Sequence, residues 1–100
     1  MDTEVNEMVE KFNAIRHAFG GTRNGPQLVI RLRYETFEDD KRFYCCFDGI
    51  ERKGVGTLDS VHGDGDTPKA AMKDYLCKIR NQTLVYKATD RDNRKEIVVL

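Results

Sequence analysis

The sequence predicts an α+β domain: a mainly antiparallel sheet of four to five strands with two helices packed on one face, in the order α-β-β-(β)-α-β-β. Three observations predict it. Apolar residues between Val5 and Phe19, and again between Ala71 and Ile79, recur at spacings of three and four, the period of a helix with one buried side. Between Gln27 and Ile50 they recur at every second position, the period of a half-buried strand. A chain of 100 residues that is 39% hydrophobic has material for one modest core, so residues 1–100 read as a single domain.

The first helix carries Val5, Met8, Val9, Phe12, Ile15, Ala18 and Phe19 on one side and Glu4, Glu7, Glu10, Lys11 and Arg16 on the other. Asp2 or Thr3 can cap its free N–H groups, and the early glutamates suit the positive end of its dipole. Gly20-Gly21 offers the left-handed conformation that closes a helix. Thr22 to Pro26 is a turn by composition. Gln27 to Phe37 then sets Leu28, Ile30, Leu32 and Tyr34 on one face against Val29, Arg31, Arg33 and Glu35 on the other. After a polar turn at Glu38–Lys41, Arg42 to Ile50 points Phe43, Cys45 and Phe47 inward and Tyr44, Cys46 and Asp48 outward. An antiparallel hairpin of these two strands is expected, although its register can exchange the faces of either strand.

Beyond Gly49 the alternation weakens, because residues 51–68 scatter four glycines among charged residues. A short strand over Thr57 to Val61 and a mobile loop are both open readings there. Asp66-Thr67-Pro68 starts the second helix with a capping oxygen and a proline at the first helical position, where a missing N–H costs nothing. Ala71, Met72, Tyr75, Leu76 and Ile79 form its buried stripe, while Lys69, Lys73, Asp74, Lys78 and Arg80 face water. Gly63-Asp64-Gly65-Asp66 before it reads as a flexible hinge. Leu84-Val85-Tyr86 and Glu96 to Leu100 are the last strands, joined by a polar turn.

The charge balance, 17 basic against 17 acidic residues, argues against a strongly basic nucleic-acid clamp and against an acidic DNA mimic. No apolar run approaches the ~20 residues of a bilayer span, and the acidic start lacks the pattern of a signal peptide, so a soluble cytoplasmic protein with no membrane partner is expected. Cys45, Cys46 and Cys77 are an odd number of thiols with two adjacent, which favours reduced cysteines over a disulfide framework. Cys45 and Cys77 read as core residues and Cys46 as a partly exposed thiol.

No motif carries catalysis, so the chain reads as a non-enzyme without cofactor or metal. His62 with Asp64 and Asp66 has alternate carboxylates that suit a hard cation, but Tyr75 stands near where a calcium loop needs its distal glutamate. Cys45, Cys46, His62 and Cys77 lack zinc spacing, since neighbours in a strand point to opposite faces. Nothing in the spacing supports a thiol nucleophile with His17 or His62, and the glycine-rich stretches lack the lysine of a phosphate loop.

The candidate binding surface is a basic and aromatic sheet face: Arg31, Arg33 and Tyr44, joined by Arg42 and Lys53. Such a face can stack on and hold a single nucleic-acid strand, or dock onto an acidic protein groove. It can equally be a solvated sheet face with cross-strand pairs such as Arg33 with Asp48 or Glu35 with Arg42. The order helix, three strands, helix is coarsely similar to a double-stranded RNA-binding domain. The basic signature of that family at its second helix is missing from DGDTPKAAMKD, and two further strands depart from its fold.

Gly63, Asp64, Gly65, Thr67, Pro68, Ala71, Asp74, Tyr75, Lys78, Ile79, Leu84 and Val85 form a pattern, G-D-G-x-T-P-x-x-A, D-Y-x-x-K-I and L-V. It resembles the C-terminal motif of small, mostly uncharacterised proteins of bacteriophages and prophages. The helix start is similar, more weakly, to that of HicB-type antitoxins. The resemblance is confined to residues 63–88 and brings no activity with it. It implies a phage setting, in which a protein of this size acts in the cytoplasm of the host cell by binding a host protein, as an inhibitor of a defence system such as CRISPR-Cas does. A nucleic-acid-binding module on the Arg31, Arg33 and Tyr44 face is the alternative. The apolar run Ile97-Val98-Val99-Leu100 further allows a homodimer through the last strand.

Overall fold

A computed structural model describes residues 2–20, 25–34 and 41–100, with the backbone alone at 33, 34 and 41. Among the described residues two helices, α1 (Thr3–Ala18) and α2 (Pro68–Ile79), accompany seven strands: β1 (Leu28–Tyr34), β2 (Lys41–Phe47), β3 (Ile50–Lys53), β4 (Leu58–Asp59), β5 (Gly63–Gly65), β6 (Thr83–Tyr86) and β7 (Lys95–Val98). All pairings are antiparallel. The α+β class is therefore as expected, but the strands divide into two sheets instead of one, with orders β1-β2-β5 and β4-β3-β6-β7. The division falls at Asp48-Gly49. Gly49 adopts φ 76°, which turns the chain out of the first sheet so that β3 pairs with β4 and β6 instead of continuing beside β1.

The helix ends follow the chemistry that was expected of them. The Asp2 carboxylate accepts from the amides of Glu4 and Val5, and the Thr67 hydroxyl accepts from the amide of Ala70 at 3.1 Å. Lys69 and Lys73 of α2 reach the acids that open α1, with Lys69 to Asp2 at 2.9 Å and Lys73 to Glu4 at 3.1 Å. One core joins both helices to both sheets. Phe12 of α1 meets Phe47 edge-on and stacks on Tyr75, while Phe19 meets the Tyr86 ring in the second sheet. Val9 and Ala18, counted on the buried stripe from their spacing, are exposed. Cys77 is exposed as well, a correction to its reading as a core residue. It lies on the flank of α2 away from Met72, Tyr75 and Ile79.

Residues 63–65 differ most from expectation. They are not a hinge but strand β5, paired to β2 with Gly65 opposite Phe43 and Gly63 opposite Cys45. Both glycines face α2 at a distance that admits no side chain. A Cβ on Gly63 would overlap the carbonyl oxygen of Ala71 and the amide of Tyr75, and one on Gly65 would overlap the backbone of Ala70 and Ala71. Side chains of α2 then fasten the strand from its open edge. The Asp74 carboxylate accepts from the amide of Asp64 at 2.8 Å, and Lys78 donates to the carbonyl of His62 at 2.9 Å. Deeper in, the Tyr75 hydroxyl accepts from the amide of Phe47 at 3.1 Å, fixing the end of β2 to the same helix. Burial raises the pKa of this phenol, which stays protonated.

β1 is an edge strand. Leu28, Ile30 and Leu32 do lie on the helix side with Phe47, Cys45 and Phe43, but α2 sits over β2 and β5, leaving Ile30 and Leu32 38% and 39% exposed. Residues 22–24 of the turn expected at Thr22–Pro26, residues 35–37 of the strand expected over Gln27–Phe37 and residues 38–40 of the turn expected at Glu38–Lys41 lie outside the described residues, and Lys41 opens β2.

Two substitutions test this core. Gly65→Ala should lower unfolding free energy by about 3 kcal/mol in urea titration, because backbone cannot yield as a flexible side chain would. Tyr75→Phe keeps the ring and leaves the Phe47 amide unpaired in the core, so a loss of about 1–3 kcal/mol is expected.

Candidate functional site

Residues directly opposite each other in a ladder share a face, so the β1–β2 register defines the outer surface of the first sheet. Val29 stands opposite Cys46, Arg31 opposite Tyr44, and Arg33 opposite Arg42, and β5 adds Asp64 opposite Tyr44. Four of the five residues expected to bind a partner therefore come together in register. For Arg33 this is a statement about the backbone, since its side chain lies outside the described residues. Lys53 does not join them. It lies on β3 in the second sheet, with its ammonium 2.9 Å from Glu96.

The register also bears on the reading of this face as neutralised by cross-strand pairs. Arg33 is opposite Arg42, not Asp48, and Glu35 lies outside the described residues. Among the described residues neither Arg31 nor Arg42 forms an ion pair. The register thus brings basic positions together on this face of the ladder.

A cleft of about 400 Å³ opens beside these residues, lined by Tyr44, Cys46, Ser60, Val61 and His62. Ser60, Val61 and His62 lead into β5, and their position follows from the clamping of that strand on α2. The His62 ring meets the Tyr44 ring edge-on at 6.1 Å between centroids. Its Nε2 lies 3.4 Å from an oxygen of Asp64, which Lys78 approaches at 3.8 Å. Lys78 stands between two carboxylates, being 2.9 Å from Asp74. The amide of Asp64, followed by Lys78, holds the Asp74 carboxyl below the ordinary aspartate range. The sequence offers the glycine-rich loop beside the hairpin as a further partner contact, but it does not single out Ser60, Val61 or His62 within it. The signal available was their place just before a strand that needs two glycines.

Cys46 and Ser60 bring a thiol and a hydroxyl to the cleft, and desolvation followed by the nearby Asp48 raises the pKa of the Cys46 thiol against the smaller opposing effect of Arg31. Cys45 points the other way, into the core, where burial pushes its thiol up to about 12. The adjacent cysteines thus cannot share one metal, and among the described residues no group of three or more potential ligands converges. Comparison with protein families, with curated proteins and with solved structures finds no match to this chain. No described helix is long and apolar enough to cross a membrane.

The three thiols should separate in a time course with Ellman's reagent at neutral pH. Cys77 is exposed and reacts first, Cys46 follows slowly because its thiolate is disfavoured, and Cys45 reacts only in denaturant. Equal rates for Cys46 and Cys77, measured in single-cysteine variants, would contradict this description of the cleft.

Proposed function

We propose that the protein is a non-catalytic binding protein, a small phage or prophage accessory factor that holds a host protein through the outer face of β1 and β2. The observation that carries this reading is the register that sets Arg31 opposite Tyr44 and Arg33 opposite Arg42, with an apolar cleft alongside. Arginines and aromatics beside a largely apolar cleft are the residue types on which protein interfaces concentrate their binding energy. The phage setting rests on the G-D-G-x-T-P-x-x-A resemblance, and a defence system such as CRISPR-Cas is the class of target it implies.

A second reading has one observation in its favour. Tyr44 lies between Arg42, two positions before it, and Arg31 across the ladder, an arrangement on which a nucleic-acid base can stack. The even charge of the whole chain favours a protein partner, because a nucleic-acid module of this size ordinarily carries a marked basic excess.

Affinity capture from bacterial lysate tests the two together. The wild-type chain should retain a protein that the Arg31→Glu, Arg42→Glu double variant loses, with unchanged thermal stability because both side chains are exposed. Retention of nucleic acid in its place, with affinity falling steeply as salt rises, would favour the second reading.

A further inference from the structure

Outward-facing residues along β2 and the turn that follows change character in one direction. They run Arg42, Tyr44, Cys46, Asp48, at every second position. Successive residues on one face of a strand lie about 6.5–7 Å apart, so the run covers the length of a short extended peptide. The cleft does not end at Cys46. A second hollow, lined by Phe47, Asp48, Gly49, Ile50 and Glu51, shares Cys46, Ser60 and Val61 with the first, so the two adjoin along β2, and we treat them as one groove. Its walls are β2 on one side and residues 60–62 on the other. Beside its Tyr44 end, on the same sheet face, stand Arg42 and, across the ladder, Arg31. The other end is acidic, from Asp48 and Glu51. Its middle is apolar and polarisable, with the Tyr44 ring, the Cys46 sulfur and Val61.

We propose that this groove binds an extended protein segment with an aromatic side chain seated against Tyr44, Cys46 and Val61 and acidic residues on one side of that aromatic only, lying over Arg31 and Arg42. The proposal rests on the reading of this face as protein-binding and names the chemistry of what it binds. An aromatic anchor is favoured because its ring can meet Tyr44 edge to face, as His62 does, and contact the Cys46 sulfur. The acid is restricted to one side because the other end of the groove holds Asp48 and Glu51, whereas Asp64, level with Tyr44, has its carboxylate facing His62 and Lys78. That asymmetry is also what selects a peptide over a nucleic-acid strand. Phosphates flank a base on both sides, so a strand stacked on Tyr44 would carry charge toward the acidic end, whereas a peptide can place its carboxylates on one side alone.

The test is an NMR titration of the ¹⁵N-labelled full chain with short synthetic probes. The first is a peptide with two glutamates on one side of a phenylalanine and two serines on the other, made in both orders. The second replaces phenylalanine by alanine, the third places glutamates on both sides, and the fourth is a thymidine oligonucleotide. One order of the first peptide should shift the amides of Tyr44, Cys46, Val61 and His62 and bind about tenfold or more tightly than the alanine and doubly acidic peptides. Ser60→Trp, at an exposed position, fills the groove and should abolish these shifts without lowering Tm. Equal affinity for the phenylalanine and alanine peptides, or no shift in the groove with any peptide, overturns the proposal. Should the double arginine variant still lose a captured host protein in that case, the protein-binding reading stands without the groove. Tightest binding by the oligonucleotide at Tyr44 overturns both.

Discussion

The close approach of β5 to α2 is the constraint on which the rest of the structure depends. Two glycines lie flat against the first turns of a helix that offers Ala70 and Ala71 in return, and the backbones meet where any side chain would collide. Because the strand has no side chains on that face, it adds almost no apolar burial of its own. It is held instead by ladder bonds to β2, by Asp74 on its outward amide and by Lys78 on the carbonyl of His62. An edge strand with its polar groups engaged by side chains of a helix is also an edge that does not recruit other chains.

That one contact has consequences on both faces of the first sheet. Inside, it lets α2 sink far enough for Tyr75 to pack between Phe12 and Phe47 and to take the Phe47 amide, so the end of β2 is fixed by a buried hydrogen bond. Outside, it holds residues 60–62 beside Tyr44 and Cys46, and so makes a groove from what would otherwise be a flat sheet. Asp64 joins the two sides, with its amide tied to α2 and its carboxylate beside His62 on the outer face. The face proposed to bind a partner is therefore built on elements that α2 holds in place, an arrangement that would lower the ordering cost of binding.

Periodicity made much of this legible in the sequence. The helix stripes around Phe12 and Tyr75, the caps at Asp2 and Thr67, and the alternation of β1 and β2 depend on local spacing, and the structure follows them. The outer position of Arg31, Arg42 and Tyr44 follows from that same alternation. The split into two sheets was not legible, because it turns on the backbone conformation of Gly49, and Asp48-Gly49 reads equally well as a strand end. β5 was hidden for a different reason. Its residues have no apolar alternation, and what makes them a strand is tertiary: a helix too close for anything but glycine. Two glycines spaced by one residue, followed by paired alanines in the first turn of a helix, were the available sign. Lys53 was misplaced because charge alone cannot say which sheet a residue joins, and its partner Glu96 is distant in sequence.

Native-state hydrogen exchange measures the central claim most directly. If β5 is clamped between β2 and α2, the amides of Gly63, Asp64 and Gly65 exchange only with the opening that frees the Phe47 amide, and share its denaturant dependence. Should they exchange as fast as those of the exposed turn at residues 54–57, with Phe47 still protected, residues 63–65 would be a hinge after all, and the groove they support would lose its wall.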